Sequence, residues 1–198
     1  MQFGKDFGIE TVLTSDKHER ATERAEEALQ IYKKQGEEYD YVLLLQGDEP
    51  QIDPEEIDNL ALALKNSSNC VVNIIHPIEG EDMNNSSVVK SILDSHGNIL
   101  FFSRAHIPNK SNSGYRQLGM IGFTAKILEK YCELEPTTLE ITESIDMMRF
   151  LENDIAISSL MTHKSIIGVD HPEDIKKVEL LMANDALVEE YSTLFIKK

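Results

Sequence analysis

In the segment Tyr41-Val42-Leu43-Leu44-Leu45-Gln46-Gly47-Asp48-Glu49-Pro50, five apolar residues run straight into glycine, two acids and proline. Such a run, closed by Gly and Pro, reads as a buried central strand, expected to be parallel. Open α/β sheets bind ligands beyond the carboxyl ends of their strands. Gly47 there lets the backbone approach a ligand, and Asp48 offers a hard oxygen where a phosphate-bridging cation needs one. Taken alone, the same Gly-Asp pair fits an ordinary polar turn equally well.

Working outward, Ile9 to Thr14 reads as a short strand. A helix from about Asp16 to Gln35 follows, capped by Thr14 or Ser15, ended by Gly36, and apolar at Ala21, Ala25, Ala28, Leu29 and Tyr32. Downstream, Asp53-Pro54 opens a helix with Ile57, Leu60, Ala61 and Leu64 on one face, proline suiting the first helical position. Cys70 to Ile75 is another apolar strand. Val88–Leu93 and Ile99–Ser103 flank Asp94-Ser95-His96-Gly97-Asn98, a hairpin turn. Helices are expected over Ala125–Leu134, Leu139–Glu152 and after Pro172, with strands over Ile155–Met161 and Ile166–Val169. Strands alternating with helices predict an α/β sheet with helices on both faces and an inserted antiparallel hairpin. No repeat or linker divides residues 1–198, which are expected to form one domain.

Composition narrows the function. A net charge of −16 argues against a nucleic-acid binder, because phosphate backbones demand a basic face. A small anionic substrate stays compatible, since a cation and a few arginines reverse the potential locally. The two cysteines, Cys70 and Cys132, have no metal-ligand spacing and are expected to be reduced core thiols. No apolar leader opens the chain and no run reaches membrane-spanning length, so a soluble cytoplasmic protein is expected.

Three further motifs bear chemistry. In Gly168-Val169-Asp170-His171-Pro172-Glu173-Asp174 a second short strand ends in an aspartate before a helix. Asp48 and Asp170 at two strand ends suit one Mg²⁺, which takes one or two carboxylates beside substrate phosphates; capping of the last helix is the simpler role for Asp170. In Phe101-Phe102-Ser103-Arg104-Ala105-His106-Ile107-Pro108, Arg104 is held at the sheet edge, and its planar fork suits a carboxylate or phosphate. A surface ion pair explains it as well. His18 to Arg24 opens a helix as a solvated face of paired charges, or as a hydroxyl-bearing turn that touches a nucleotide. No Ser/His/Asp set, zinc spacing, GxGxxG or phosphate-binding P-loop occurs.

Together these residues resemble the 3-deoxy-manno-octulosonate cytidylyltransferases, or CMP-Kdo synthetases. Gln46–Pro50 matches the family's Gln-Gly-Asp-Glu-Pro, Phe102–Pro108 its Phe-Ser-Arg-Ala-x-Ile-Pro, and Gly168–Asp174 its Gly-Val-Asp-Thr-Pro-Glu-Asp. Ala21-Thr22-Glu23-Arg24 is similar to its Gly-Thr-Asp-Arg, and Pro136–Arg149 to its Pro-x-x-Leu-Glu…Leu-Arg helix. The resemblance implies a Rossmann-like nucleotidyltransferase sheet that joins CTP to an acidic sugar, for lipopolysaccharide or capsule synthesis, and a homodimer. It implies Mg²⁺ on Asp48 and Asp170, nucleotide contacts from Thr22, Gln46 and Gly47, and sugar contacts from Arg104, Gln117 and Asp146. Arg104 would pair with the sugar carboxylate.

Met1 falls inside the family pattern, so the first strand and its Arg-, Ser-, Pro- and Lys-containing nucleotide loop are expected to be missing. The family's Arg-His-Leu-Gly-x-Tyr-Gly-Tyr appears as Arg116-Gln117-Leu118-Gly119-Met120-Ile121-Gly122-Phe123, and its Glu-Gln-Leu-Arg as Asp146-Met147-Met148-Arg149. The lost histidine, phenols and amide suggest another sugar acid, such as a sialic-acid-like nonulosonate. Arg20 stands where the family has a small residue. The rival expectation is a non-catalytic relative that only binds sugar or a partner: the missing loop favours it, and the retained Asp48 and Asp170 oppose it.

Overall fold

A computed structural model of the chain describes residues 4, 6–164, 166–169, 171–188 and 190. Six strands are β1 (Tyr41–Leu45), β2 (Val71–Glu79), β3 (Lys90–Leu93), β4 (Asn98–Ser103), β5 (Ser113–Thr124) and β6 (Ile157–Met161). Among the described residues the α-helices used below are α1 (Ala21–Lys34), α2 (Pro54–Asn66), α3 (Ala125–Glu133), α4 (Thr138–Glu143), α5 (Met147–Glu152) and α6 (Pro172–Met182). The sheet order is β1-β5-β2-β6-β4-β3, and β3 also pairs with β5, which curls the far edge back on itself. Among the described residues only β2 and β6 run parallel; the other pairings are antiparallel.

Helices cover both faces, as expected. Leu29 of α1, Leu128 and Tyr131 of α3 and Phe150 of α5 pack with Phe123, Ile121 and Ile157 on one side. Leu60 and Leu64 of α2 pack with Leu118, Met120 and Ile74 on the other. Burying apolar area on both faces is what drives this layering. No helix of the described residues is long and apolar enough to cross a membrane.

β1 corrects an expectation. It lies at the sheet edge, antiparallel to β5, with Tyr41 opposite Thr124 and Leu45 opposite Met120. Its apolar run reflects two helix layers, because Val42 and Leu44 join one core and Leu43 the other. That pattern says nothing about direction or neighbours. Ile9–Thr14 and Ile166–Val169 form no strand. α1 starts at Ala21 after Arg20, which makes no side-chain cap, so neither Thr14 nor Ser15 caps it. The expected helix Leu139–Glu152 is two short helices, broken where Ser144 takes the left-handed conformation at φ 55°. The longest strand, β5, was not anticipated at all. Cys70 and Cys132 are free but exposed rather than in the core.

Candidate active site

The Asp53 carboxylate accepts from the Glu55 amide and starts α2, so the turn Gln46–Ile52 is held between β1 and a capped helix. Its strand side is fixed by β5: the Gln46 amide donates to Gly119 O at 2.9 Å, and the Gly119 amide to Glu49 Oε1 at 2.8 Å. A Cβ on Gly119 would sit 2.7 Å from Gln46 Cβ. Gly119→Ala is therefore expected to displace Gln46 and the turn, costing ~1–3 kcal/mol in stability. The outcome is read as a lower melting temperature; an unchanged melt would show that the turn tolerates the added methyl.

Two cavities meet at this turn. A groove of ≈740 Å³ lies between α1 and β1 and is lined by Thr14, Ala21, Arg24, Gln46, Gly47 and Asp48 among others. A smaller cavity of ≈200 Å³ is lined by Gln46, Asp48, Arg104, Arg116, Gln117 and Gly168 among others. Gln46 and Asp48 belong to both. Asp48 is exposed, and among the described residues its carboxylate has no hydrogen bond or ion pair. Its main-chain oxygen accepts from the Val169 amide at 2.8 Å, which brings the Gly168-Val169 segment alongside. Asp170 itself lies outside the described residues. An unpaired carboxylate at a cavity mouth is the donor type a hard cation prefers, so the residues present fit Mg²⁺. Among the described residues no cluster of three or more His, Cys, Asp or Glu forms a metal site.

Arg104 lines the smaller cavity, but its donors are directed at the main chain. Nε donates to Glu143 O at 3.0 Å, and one terminal nitrogen to Ser86 O at 3.2 Å and Ser87 O at 3.4 Å. Lys90, fully buried, donates to the carbonyls of Asn85, Val88 and Arg104 at 2.6, 2.9 and 2.7 Å. Two cations thus take four consecutive carbonyls, residues 85 to 88, and shape the cavity wall. Burial pushes the Lys90 ammonium below its ordinary value, and Arg104 adds to this. Sequence reasoning missed Lys90, which sits unremarked in an apolar hairpin strand.

Arg116 is a further cavity residue that sequence reasoning missed. It donates to Ile166 O while its Nε, shielded from solvent, has no partner among the described residues. Burial lowers its pKa, opposed by the charges of Glu49 and Asp82.

Thr22 and Asp146 come together, but with each other: Thr22 Oγ1, on a fully buried residue, donates to Asp146 Oδ2 at 2.5 Å. Neither lines the two cavities. Of the four positions where polar family residues are replaced, only Gln117 reaches a cavity. Ile121, Phe123 and Met147 are 1%, 0% and 0% exposed and belong to the α1/α3/α5 core. Their apolar character is explained by packing, which removes them as reporters of sugar choice.

Comparison with known proteins shows the family. A cytidylyltransferase family model matches residues 1–165. The 3-deoxy-manno-octulosonate cytidylyltransferase of Parabacteroides distasonis is 32% identical over 195 residues, spanning 91% of this chain and 76% of the relative. The Zea mays enzyme of that name is 36% identical over 186 residues, spanning 90% of this chain and 61% of the relative. A structure of CMP:2-keto-3-deoxy-manno-octonic acid synthetase complexed with CTP superposes with a TM-score of 0.82 at 28% identity, over 92% of this chain and 76% of that one. The motif at the β1 turn, the two-faced sheet and these matches agree, and the chain belongs to the cytidylyltransferase family.

Proposed function

We propose that the chain activates an acidic sugar, Kdo by the names of its relatives, by transfer of CMP from CTP. The observation that carries this reading is the meeting of the ≈740 Å³ groove and the ≈200 Å³ cavity at Gln46 and Asp48. Nucleotide in the first and sugar acid in the second would bring the anomeric hydroxyl to the α-phosphorus. The sugar oxygen forms its bond to that phosphorus, the bridge to the β-phosphate breaks, pyrophosphate leaves, and the hydroxyl proton is released.

Gln46 and Gly47 line the nucleotide groove, beside Ala21 at the start of α1, while the neighbouring Thr22 is held by Asp146. Arg104 and Arg116 give the sugar cavity the positive field a carboxylate needs. Gln117 offers a polar contact there. Asp48 and Asp170 would hold Mg²⁺, which when bound supplies charge neutralisation on the triphosphate. The chain's own part is positioning and electrostatics, with no covalent enzyme intermediate. We place the reaction in the cytoplasm, consistent with CTP as donor and free thiols, and expect a homodimer that supplies an activated sugar for lipopolysaccharide or capsule.

Incubation with CTP, Mg²⁺ and a panel of sugar acids tests the proposal through pyrophosphate release. Turnover with Kdo is the expected result. Turnover with a nonulosonate alone would move the substrate, and binding of sugar with no release from any panel member would favour the non-catalytic relative.

A further inference from the structure

Asn73 lies on β2 at the irregularity between Asn73 and Ile75, wholly buried. Its side-chain nitrogen sits 3.0 Å from Ile74 O, 2.9 Å from Leu118 O and 3.2 Å from Met120 O. Carbonyls only accept, so the nitrogen of this amide must be the end that faces them. Asn73 Oδ1 is thereby turned the other way, as an acceptor. Gln117 Nε2 donates to it at 2.6 Å. That bond in turn fixes which end of the Gln117 amide faces Asn73. Gln117 Oε1 is left with no partner among the described residues, on a side chain lining the ≈200 Å³ cavity.

We propose that Asn73 is a positioning residue that locks Gln117 as a hydrogen-bond acceptor toward the sugar acid, so that the cavity reads a hydroxyl proton at this point. The inference rests on the proposed function for the identity of the ligand. An imidazole in the same place can present either a donor or an acceptor, whereas the locked amide presents its oxygen. A site built around such a contact rejects analogues that lack the donor, because its own acceptor is then left unpaired. Specificity for sugar acid is on this view written in Asn73 and Gln117 jointly.

The test is a double-mutant cycle on the full chain, with Kdo affinity and the Gln117 side-chain amide followed by NMR in ¹⁵N-labelled protein. Asn73→Ala and Gln117→Ala are each expected to weaken Kdo ~10-fold, and the double variant to be no weaker than Gln117→Ala. One Gln117 amide proton should exchange slowly in wild type and rapidly in Asn73→Ala. Equal losses from Asn73→Ala in both backgrounds would overturn the proposal, as would wild type that binds no Kdo. Gln117→Met fills similar space and leaves Asn73 its three carbonyls, so it serves if Asn73→Ala does not fold; Kdo affinity within about twofold of wild type would then overturn it. Normal Kdo binding without pyrophosphate release counts against the proposed reaction alone. Normal release with affinity unmoved by the variants counts against the Gln117 contact alone.

Discussion

Asp48→Asn is expected to lower pyrophosphate release from CTP and Kdo by ~10²–10³-fold without moving the melting temperature. The two halves of that expectation have separate causes. Asp48 is exposed and its carboxylate has no partner among the described residues, so folding gains nothing from its charge. It nevertheless lines both cavities, where the proposed function brings the triphosphate and the attacking hydroxyl together. Asparagine keeps the shape and the first oxygen but loses the negative charge a hard cation requires. Steady-state release at saturating Mg²⁺, beside a thermal melt, checks both. Undiminished release would sink the metal-ligand assignment; a large drop in melting temperature would show that the turn depends on the carboxylate for its fold.

The second large effect is structural. Arg149 on α5 is 3% exposed and grips Glu140 of α4, 1% exposed, with Nε at 2.7 Å and a terminal nitrogen at 2.6 Å from its two oxygens. The guanidinium also lies 4.1 Å from the Tyr131 ring centroid and reaches Glu23 of α1 at 3.1 Å. Without Arg149 the buried Glu140 keeps Arg20 Nε at 3.4 Å but loses its two-pronged partner, and breaking a buried pair costs ~3–5 kcal/mol. Arg149→Met should therefore lower the melting temperature sharply, and Arg149→Lys should recover only part, since an ammonium cannot make the two-pronged grip.

The pH dependence has a defined sign. Burial works to raise the Glu140 pKa, but the Arg149 bonds and charge, together with the Thr137 amide and the Tyr131 hydroxyl, outweigh it and hold the carboxyl below its ordinary 4.5. A depressed carboxyl contributes stability that is complete above the unfolded value and is lost as pH falls through the folded one. In Arg149→Met burial acts unopposed by Arg149. The gap in stability between wild type and variant should be widest near neutrality and narrow below pH 4.5. Denaturant unfolding across that range measures it, and a gap independent of pH would place the cost in lost packing instead.

Local chemistry made some elements plain and hid others. The β3–β4 hairpin is legible because Asp94 Oδ1 accepts from the His96 and Asn98 amides, and Gly97 takes φ 82°. Strand β5 hides because three glycines and Arg116-Gln117 break its apolar pattern. Those glycines answer distant neighbours: Gly114 meets Met83, Gly119 meets Gln46, and Gly122 meets Leu64 and Leu43. Nothing within twelve residues of sequence encodes such partners.

Ile9–Thr14 failed as a strand for the opposite reason, since β-propensity without a ladder to join forms none. At the site, Asp48 and Arg104 are readable as polar residues beside apolar runs, whereas Gln46 and Gln117 come only from the family resemblance. The Thr22–Asp146 bond, the Lys90 clamp and the Asn73 lock join residues far apart in sequence or buried in apolar strands, and only the fold discloses them.

The parallel β2–β6 pair sets an order of assembly. Val71–Ile75 finds its neighbours in Ile157–Met161 and, across β5, in Gly122 and Phe123. A nascent chain thus carries β2 with both edges open until most of the polypeptide has left the ribosome, and loop-closure entropy makes these long-range pairings slow. Asn73 lies near the start of that waiting strand, and its bond from Gln117 cannot form until β5 is in place. In partly made or heat-loosened molecules Val71–Ile75 is the segment through which they would stick to one another.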